Sequence, residues 1–208
     1  MKLVFFGDSL IEMGRNRDTN INNYSSYGRG FVFEVAAELF YAKPGYYEVV
    51  NRGIGGEKVT DLFARYEQDV IAEKPDVLTI LIGINDIWAK IWCNTGTDLD
   101  VYEETYLKMV NDIKKKLPKT KIILMEPFIE KGDAEKRELV HQYALAAQHV
   151  AKQSQSIFIP LQERLNEFFK DGNQTQILYD GMHTNPGGAR VLALKWLETF
   201  KAIEGELK

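Results

Sequence analysis

The segment VFFGDSL, residues 4–10, indicates both the fold of the chain and the position of its first functional residue. An apolar run from Leu3 to Phe6 stops at Gly7, and Asp8 and Ser9 follow at once. A buried strand of a parallel sheet has such a continuous apolar run because both of its faces are covered. In open α/β sheets, functional groups lie just beyond the carboxyl ends of these strands. Ser9 therefore stands where a nucleophile is expected, although serine and aspartate after a strand are also common turn formers and helix caps.

Beyond this segment, strand-like runs alternate with helical patterns along the whole chain. The strands are predicted at residues 3–6, 47–50, 77–82, 121–125 and 156–160, and the helices at 31–40, 59–71, 101–117, 134–153, 161–170 and 187–200. A polar segment, residues 12–30, has no periodicity and is predicted to be a long loop. The alternation predicts one α/β domain over residues 1–208, with a five-stranded parallel sheet between two layers of helices.

Composition narrows the class of function. The 208 residues are 45% hydrophobic and 27% charged, which is typical of a soluble globular protein. The formal charge of −4, from 26 basic and 30 acidic residues, provides no electrostatic basis for binding nucleic acid. The single cysteine, the absence of a membrane-length apolar run and a first strand at the N-terminus lead us to expect a cytoplasmic protein with no membrane partner.

Four short polar segments carry the chemistry. They are GDS at residues 7–9, GIGG at 53–56, GIND at 83–86 and DGMH at 180–183. The first three follow predicted parallel strands, so they meet at one edge of the sheet. Together with the fourth they supply the parts of acyl transfer: a serine, a histidine with an aspartate three residues before it, and amide donors for an oxyanion.

Each of these residues also has a purely structural interpretation. His183 could be a surface histidine, but His141 and His149 lie within a helical pattern, and His183 has an acidic neighbour in a glycine-containing loop. Gly56 could belong to a phosphate-binding loop, but the spacing of those motifs is absent. Asn85 alone is as well explained by a turn. No His, Cys and carboxylate set has the spacing of metal ligands, so no metal and no cofactor are predicted.

In this order, the four segments resemble the conserved blocks of the SGNH hydrolases, also called the GDSL family. The resemblance implies a flavodoxin-like three-layer α/β/α sandwich and a serine esterase. It implies Ser9 as the nucleophile and Asp180 and His183 as the other members of a catalytic triad. The oxyanion hole would be formed by the backbone N–H groups of Ser9 and Gly56 and by the side chain of Asn85.

Within that family, the chain is most similar to carbohydrate acetylesterases of the acetylxylan-esterase type. The segments that carry this similarity are YGRG at 27–30, VVNRGIGG at 49–56, GINDIW at 83–88 and MEPF at 125–128. They imply a small-molecule ester substrate, such as an acetylated xylo-oligosaccharide, and a homo-oligomer. The alternatives are a lysophospholipase or thioesterase acting on longer acyl chains, and a non-catalytic carbohydrate-binding protein.

Three further residues are candidates for contacts with the substrate. Tyr27, Trp88 and Met182 are predicted to line the substrate pocket, with Trp88 alternatively at a subunit contact. For Trp92 both alternatives, pocket wall and subunit interface, stay open. Cys93 has no partner histidine nearby in sequence, so we expect a buried or half-buried, unreactive thiol.

Overall fold

The computed structural model describes residues 1–18, 23–93, 95–130, 134–169 and 174–207. The strands are β1 (Lys2–Gly7), β2 (Glu48–Gly53), β3 (Val77–Leu81), β4 (Lys121–Met125) and β5 (Ile157–Ile159). The helices are α1 (Ser9–Glu12), α2 (Phe31–Ala42), α3 (Val59–Tyr66), α4 (Ile84–Cys93), α5 (Leu99–Lys116), α6 (Ala134–Gln153), α7 (Gln162–Phe169), α8 (Gln174–Ile177) and α9 (Pro186–Ile203). Short 3₁₀ turns cover Tyr24–Tyr27 and Glu204–Glu206, and a π-helical turn covers Glu67–Ile71.

The five strands form one parallel sheet in the order β2-β1-β3-β4-β5. This is the flavodoxin-like strand order, and it confirms the predicted fold class. After β2 the chain crosses back over β1 to reach β3, so the strand order reverses beside β1. Ligands of such sheets bind at the carboxyl ends of the strands at this reversal. The carboxyl end of β1 is Gly7, directly before Asp8 and Ser9.

The two layers of helices explain the apolar run of β1. Phe5 points to one face, where its ring lies 5.8 Å from Phe31 of α2 and 5.1 Å from Trp196 of α9. Phe6 points to the other face, where the guanidinium of Arg65 on α3 lies 4.4 Å from its ring centre. Successive side chains of a strand alternate between faces, and here both faces are covered. Helices α2 and α9 pack together, and α5 packs against both α3 and α6.

The structure differs from the sequence-based predictions at several boundaries. Helix α4 begins within the GIND segment, which was predicted only as a turn, because Asn and Asp also occur in first helical turns. The predicted helix 59–71 is α-helical only to Tyr66 and continues as the π-helical turn. The predicted loop 12–30 contains the 3₁₀ turn Tyr24–Tyr27, and residues 19–22 of it lie outside the described residues. Helix α8 was not predicted.

A buried hydrogen bond between the sheet and α9 provides a test of the packing. The indole Nε1 of Trp196 donates to the hydroxyl of Thr79 on β3 at 2.8 Å, and both residues are buried. We expect Thr79→Val to lower the free energy of unfolding by about 1–3 kcal/mol, because it leaves a buried N–H without an acceptor. Thr79→Ser, which keeps the acceptor, should cost less. Urea denaturation measures both, and equal losses in the two variants would contradict the assignment.

Candidate active site

Ser9 is held where β1 turns into α1. Asp8 caps the helix, since its Oδ1 accepts from the backbone N–H of Leu10 at 2.9 Å. The strand end admits no side chain: a Cβ on Gly7 would lie 2.2 Å from the carbonyl oxygen of Leu81. The glycine therefore lets β1 approach β3 closely just before Ser9.

His183 and Asp180 complete a continuous hydrogen-bonded chain with Ser9. The Oγ atom of Ser9 lies 2.8 Å from Nε2 of His183, and Nδ1 of His183 lies 2.7 Å from Oδ2 of Asp180. With its proton on Nδ1, the imidazole donates to Asp180 and presents the Nε2 lone pair to the serine hydroxyl. The structure thus brings together the three residues that the sequence proposed as a triad, in the geometry that activates a serine.

The loop around His183 is fixed by backbone hydrogen bonds. The backbone N–H groups of Met182 and His183 both donate to Oδ1 of Asp180, at 3.0 and 2.8 Å. Tyr179 donates through its backbone N–H to the carbonyl of His183 at 3.1 Å. The carbonyl of Gly181 accepts from the backbone N–H of Glu130 at 2.9 Å. Asp180 therefore orients the imidazole and also closes the turn that carries it, as its spacing suggested.

Asp180 remains ionised in this setting. Partial burial alone would raise the pKa of its carboxyl group, but hydrogen bonds from the backbone and ring of His183 and from the backbone of Met182 bring that pKa below its usual value. Since these donors favour the charged form, Asp180 is a carboxylate at neutral pH.

The turn after β2 lies beside the nucleophile. A Cβ built on Gly55 would be 3.7 Å from Cβ of Ser9, and the backbone N–H of Gly55 donates to Oε2 of Glu12 at 2.9 Å. Gly56 has φ of +82°, a left-handed conformation that favours glycine. The side-chain Nδ2 of Asn85, in the first turn of α4, donates to the carbonyl of Glu57 at 3.0 Å. Gly56 and Asn85 are thereby placed on the same sheet edge as Ser9.

Ser9 and His183 open into a cavity of about 450 Å³. Its other lining residues are mostly polar: Glu12, Met13, Gly14, Arg29, Tyr179, Thr184, Asn185 and Pro186. The ring of Tyr179 stacks on the imidazole of His183, with ring centres 5.6 Å apart and planes inclined by 16°, and it remains 54% exposed. Sequence reasoning missed Tyr179, although its position directly before Asp180 was the available signal.

The residues predicted to line the substrate pocket are not among the described residues that line this cavity. Tyr27 is buried and packs edge-on against Phe40, 5.7 Å away between ring centres, in a separate apolar cavity. Trp88 is half-buried against the hydrophobic core, as is Met182, and neither is among the described residues that line the cavity at Ser9. The sequence could not predict this, because the direction in which each of these side chains points depends on packing between distant elements.

Two residues at the end of α4 are exposed. Trp92 is 72% exposed, with the ammonium of Lys136 at 5.9 Å from its ring. Cys93 is exposed, which corrects the expectation of a buried or half-buried thiol. The expectation for Cys93 was wrong because it rested only on the general tendency of free cysteines to be buried, whereas Cys93 is the last residue of α4 and is open to solvent.

Buried carboxylates lie behind the nucleophile. Asp8 is fully buried, and one of its oxygens, Oδ2, has no hydrogen-bond partner within the described part of the chain. Burial raises its pKa to about 7, with the hydrogen bond from Leu10 opposing the shift and the charges of Asp86 and Glu57 adding to it. Burial also raises the pKa of Asp86 to about 6, although it accepts from the backbone N–H of Val59 at the start of α3.

Within the described residues, no helix has the length and apolar character needed to cross a bilayer. In the same part of the chain, no group of three or more His, Cys, Asp and Glu residues is arranged to hold a metal ion.

Comparison with known proteins identifies relatives of this chain in both sequence and structure. The model of the GDSL-like lipase/acylhydrolase family matches residues 5–191. An acetylxylan esterase of Geobacillus stearothermophilus is 36% identical over 205 residues, which is 94% of this chain and 92% of that protein. The structure of Axe2, an acetylxylan esterase from Geobacillus stearothermophilus, superposes with a TM-score of 0.85 at 35% identity, over 95% of this chain and 92% of that one.

A GDSL-like lipase from Parabacteroides merdae superposes with a TM-score of 0.90 at 32% identity, over 100% of this chain and 96% of that one. Further structures of Axe2 are described as catalytic mutants, with alanine replacing a serine, an aspartate or a histidine. In that enzyme, the aspartate and the histidine are three positions apart.

The buried carboxyl of Asp8 makes stability depend on pH. An acid whose pKa rises on folding contributes its full stability below the pKa of the unfolded chain, ordinarily 3.8, and loses it as the pH rises through about 7. Asp8→Asn is neutral at every pH and keeps an acceptor for Leu10. Its melting temperature relative to wild type should therefore increase by about 5 °C between pH 5 and pH 8.

Thermal unfolding followed by circular dichroism measures this change. Asp100→Asn, at an exposed carboxylate, is the matched control for removing one acidic charge. A difference between Asp8→Asn and wild type that is constant with pH would show that Asp8 does not bind a proton on folding.

Proposed function

The chain belongs to the GDSL-like lipase/acylhydrolase family and is a carboxylic ester hydrolase, and we propose that it removes acetyl groups from carbohydrates such as acetylated xylo-oligosaccharides. The observation that carries the proposal is the hydrogen-bonded chain from Ser9 through His183 to Asp180, at 2.8 and 2.7 Å. The spacing of the catalytic aspartate and histidine in Axe2 supports the same assignment.

In the proposed mechanism, Oγ of Ser9 forms a bond to the ester carbonyl carbon while its proton passes to Nε2 of His183. The carbonyl oxygen becomes an oxyanion, for which the backbone N–H groups of Ser9 and Gly56 and Nδ2 of Asn85 are the proposed donors. His183 then gives its proton to the departing sugar oxygen as the carbon–oxygen bond breaks. Water repeats the sequence on the acyl-enzyme, releasing acetate and restoring the serine hydroxyl.

Asn85 keeps a donor available for this role. A side-chain amide nitrogen carries two hydrogens, and one of them is used in the bond to the carbonyl of Glu57. That bond fixes the plane of the amide, so the second hydrogen has a defined direction. An amide oriented in advance stabilises an oxyanion without reorganising during the reaction.

The polarity of the cavity supports a sugar ester over a long acyl chain. Glu12, Arg29 and Asn185 present charged and amide groups around Ser9, and the exposed ring of Tyr179 presents a flat apolar face. This combination suits a ring with many hydroxyl groups, whereas a lysophospholipase or long-chain thioesterase needs a continuous apolar channel. A homo-oligomer and a cytoplasmic location stay predictions.

We expect hydrolysis of p-nitrophenyl acetate to exceed that of the octanoate. We expect Ser9→Ala to lose at least about 10³-fold in kcat, because the variant lacks the hydroxyl that is hydrogen-bonded to His183. Acetate release from acetylated xylo-oligosaccharides, measured for wild type and Ser9→Ala, completes the test. A preference for octanoate would favour the lipid or thioester alternative with the same residues. Binding of the acetylated sugar without turnover would favour the non-catalytic alternative.

Replacing Tyr179 should weaken binding of the sugar part of the substrate and leave the reaction of the acyl group unchanged. Tyr179→Ala removes a flat apolar face beside His183, and we expect KM for acetylated xylo-oligosaccharides to rise by about threefold to tenfold. Turnover of p-nitrophenyl acetate, which has no sugar, should stay near wild type. Tyr41→Ala, at an exposed tyrosine on α2 outside the cavity, is the matched control. Equal losses on both substrates would indicate that Tyr179 acts through His183.

A further inference from the structure

We propose that Arg65 is a positioning residue of the esterase, which holds the three strand-end turns that carry the nucleophile and the oxyanion donors in one fixed arrangement. The inference rests on the proposed function of Ser9, Gly56 and Asn85. Arg65 itself lies on α3, with its guanidinium over the ring of Phe6, and its side chain is only 14% exposed.

The guanidinium of Arg65 uses all five of its N–H donors. Nε and Nη2 both donate to the carboxylate of Glu57, with the Nε contacts at 2.8 and 3.0 Å. Nη2 also donates to the carbonyl of Gly7 at 3.2 Å. Nη1 donates to the carbonyl of Arg52 at 3.0 Å and to Oδ2 of Asp69 at 2.6 Å. A lysine has three donors on one point charge and cannot reproduce this planar set.

Each of these contacts fixes a different part of the site. Gly7 ends β1 two residues before Ser9, and Arg52 is the next-to-last residue of β2, at the start of the glycine-rich segment. Glu57 directly follows Gly56, and its backbone carbonyl accepts from Nδ2 of Asn85 at 3.0 Å. One side chain therefore connects the β1 turn, the β2 turn and, through Glu57, the amide of α4.

The glycine-rich turn is held on both sides of Gly56. Glu12 binds the backbone N–H of Gly55 at 2.9 Å, and Arg65 binds the side chain of Glu57. Gly56 lies between them without a side chain and with φ of +82°. Without Arg65, the carboxylate of Glu57 loses the cation to which it is hydrogen-bonded. Burial raises the pKa of the Glu57 carboxyl even with Arg65 opposing the shift, so the unpaired group would protonate or turn to solvent.

Displacement of this turn would move Gly56 and Asn85 together. Oxyanion donors act only within about 2.7–3.1 Å of the developing charge, and a misplacement of about 1 Å costs roughly 10²-fold in rate. The ground-state substrate depends on these donors much less than the transition state does. Removal of the Arg65 side chain is therefore expected to lower kcat and to leave KM nearly unchanged.

The test compares Arg65→Met, Arg65→Lys and Glu57→Ala with wild type on p-nitrophenyl acetate. Arg164→Met is the matched control, because Arg164 also stacks on a phenylalanine, Phe168, and pairs with a glutamate, but on α7. We expect kcat to fall about 10²-fold in Arg65→Met, with KM changed by less than about threefold and with wild-type circular dichroism. Arg65→Lys should recover little, and Arg164→Met should behave as wild type.

Three measurements separate positioning from a general structural effect. Inhibition by a trifluoromethyl ketone, which forms an oxyanion on Ser9, should weaken by the same factor as kcat. Guanidinium at millimolar concentration should raise kcat of Arg65→Ala, whereas methylammonium should not. The double variant Arg65→Met/Glu57→Ala should lose no more than the worse single variant, because the two residues act as one unit.

Wild-type kcat in a folded Arg65→Met, a loss confined to KM, or additive losses in the double variant would overturn the inference. If Arg65→Met does not fold, Glu57→Ala and the conservative Arg65→Lys decide it by the same criteria. Ser9→Ala, assayed alongside, separates a failure of the proposed function from a failure of the role of Arg65. Activity retained by Ser9→Ala contradicts the proposed function, whereas an inactive Ser9→Ala with a fully active Arg65→Met contradicts only the role of Arg65.

Discussion

The carboxyl end of β1 lies between the carboxyl ends of β2 and β3, and the rest of the site depends on this neighbourhood. Gly7 pairs with Gly53 on one side and with Leu81 on the other. The segments that leave these three strand ends therefore start within one strand spacing of each other. Ser9, the glycine-rich turn and Asn85 are adjacent because the sheet is parallel and its order reverses here, although they are far apart in sequence.

Polar contacts then set the fine geometry that the sheet alone cannot. Asp8 caps the short helix of Ser9, Glu12 holds Gly55, and Arg65 reaches both Gly7 and Glu57. Most of these groups are partly or fully removed from water, where an unsatisfied polar atom is costly and a satisfied one is rigid. Burial is the main cause of the raised pKa of Asp8, so a negative charge on this carboxyl group is unfavourable at the sheet edge. Ionisable groups with strongly shifted pKa values are found most often at functional sites.

The fold was predictable from the sequence because two features of β1 are visible in its own residues. Its unbroken apolar run reflects two covered faces, and the glycine and serine after it mark the strand end. The pairing of Asp180 with His183 was equally predictable, since the two residues are only three positions apart in the chain. Tyr27 and Tyr179 were not, because the side of a loop or helix that faces Ser9 depends on packing between distant elements. Arg65 was also missed: its partners Gly7, Arg52 and Glu57 become neighbours only once the sheet has formed.

Covalent trapping tests the central claim, that Ser9 is the nucleophile activated by His183 and Asp180. The protein would be incubated with diethyl p-nitrophenyl phosphate, and the modified residue would be located by peptide mass spectrometry. The account predicts one diethylphosphoryl group per chain, on Ser9, with esterase activity lost in proportion to labelling and with labelling greatly slowed in His183→Ala. Complete inactivation with the group on another residue, or full activity in protein labelled at Ser9, would contradict it.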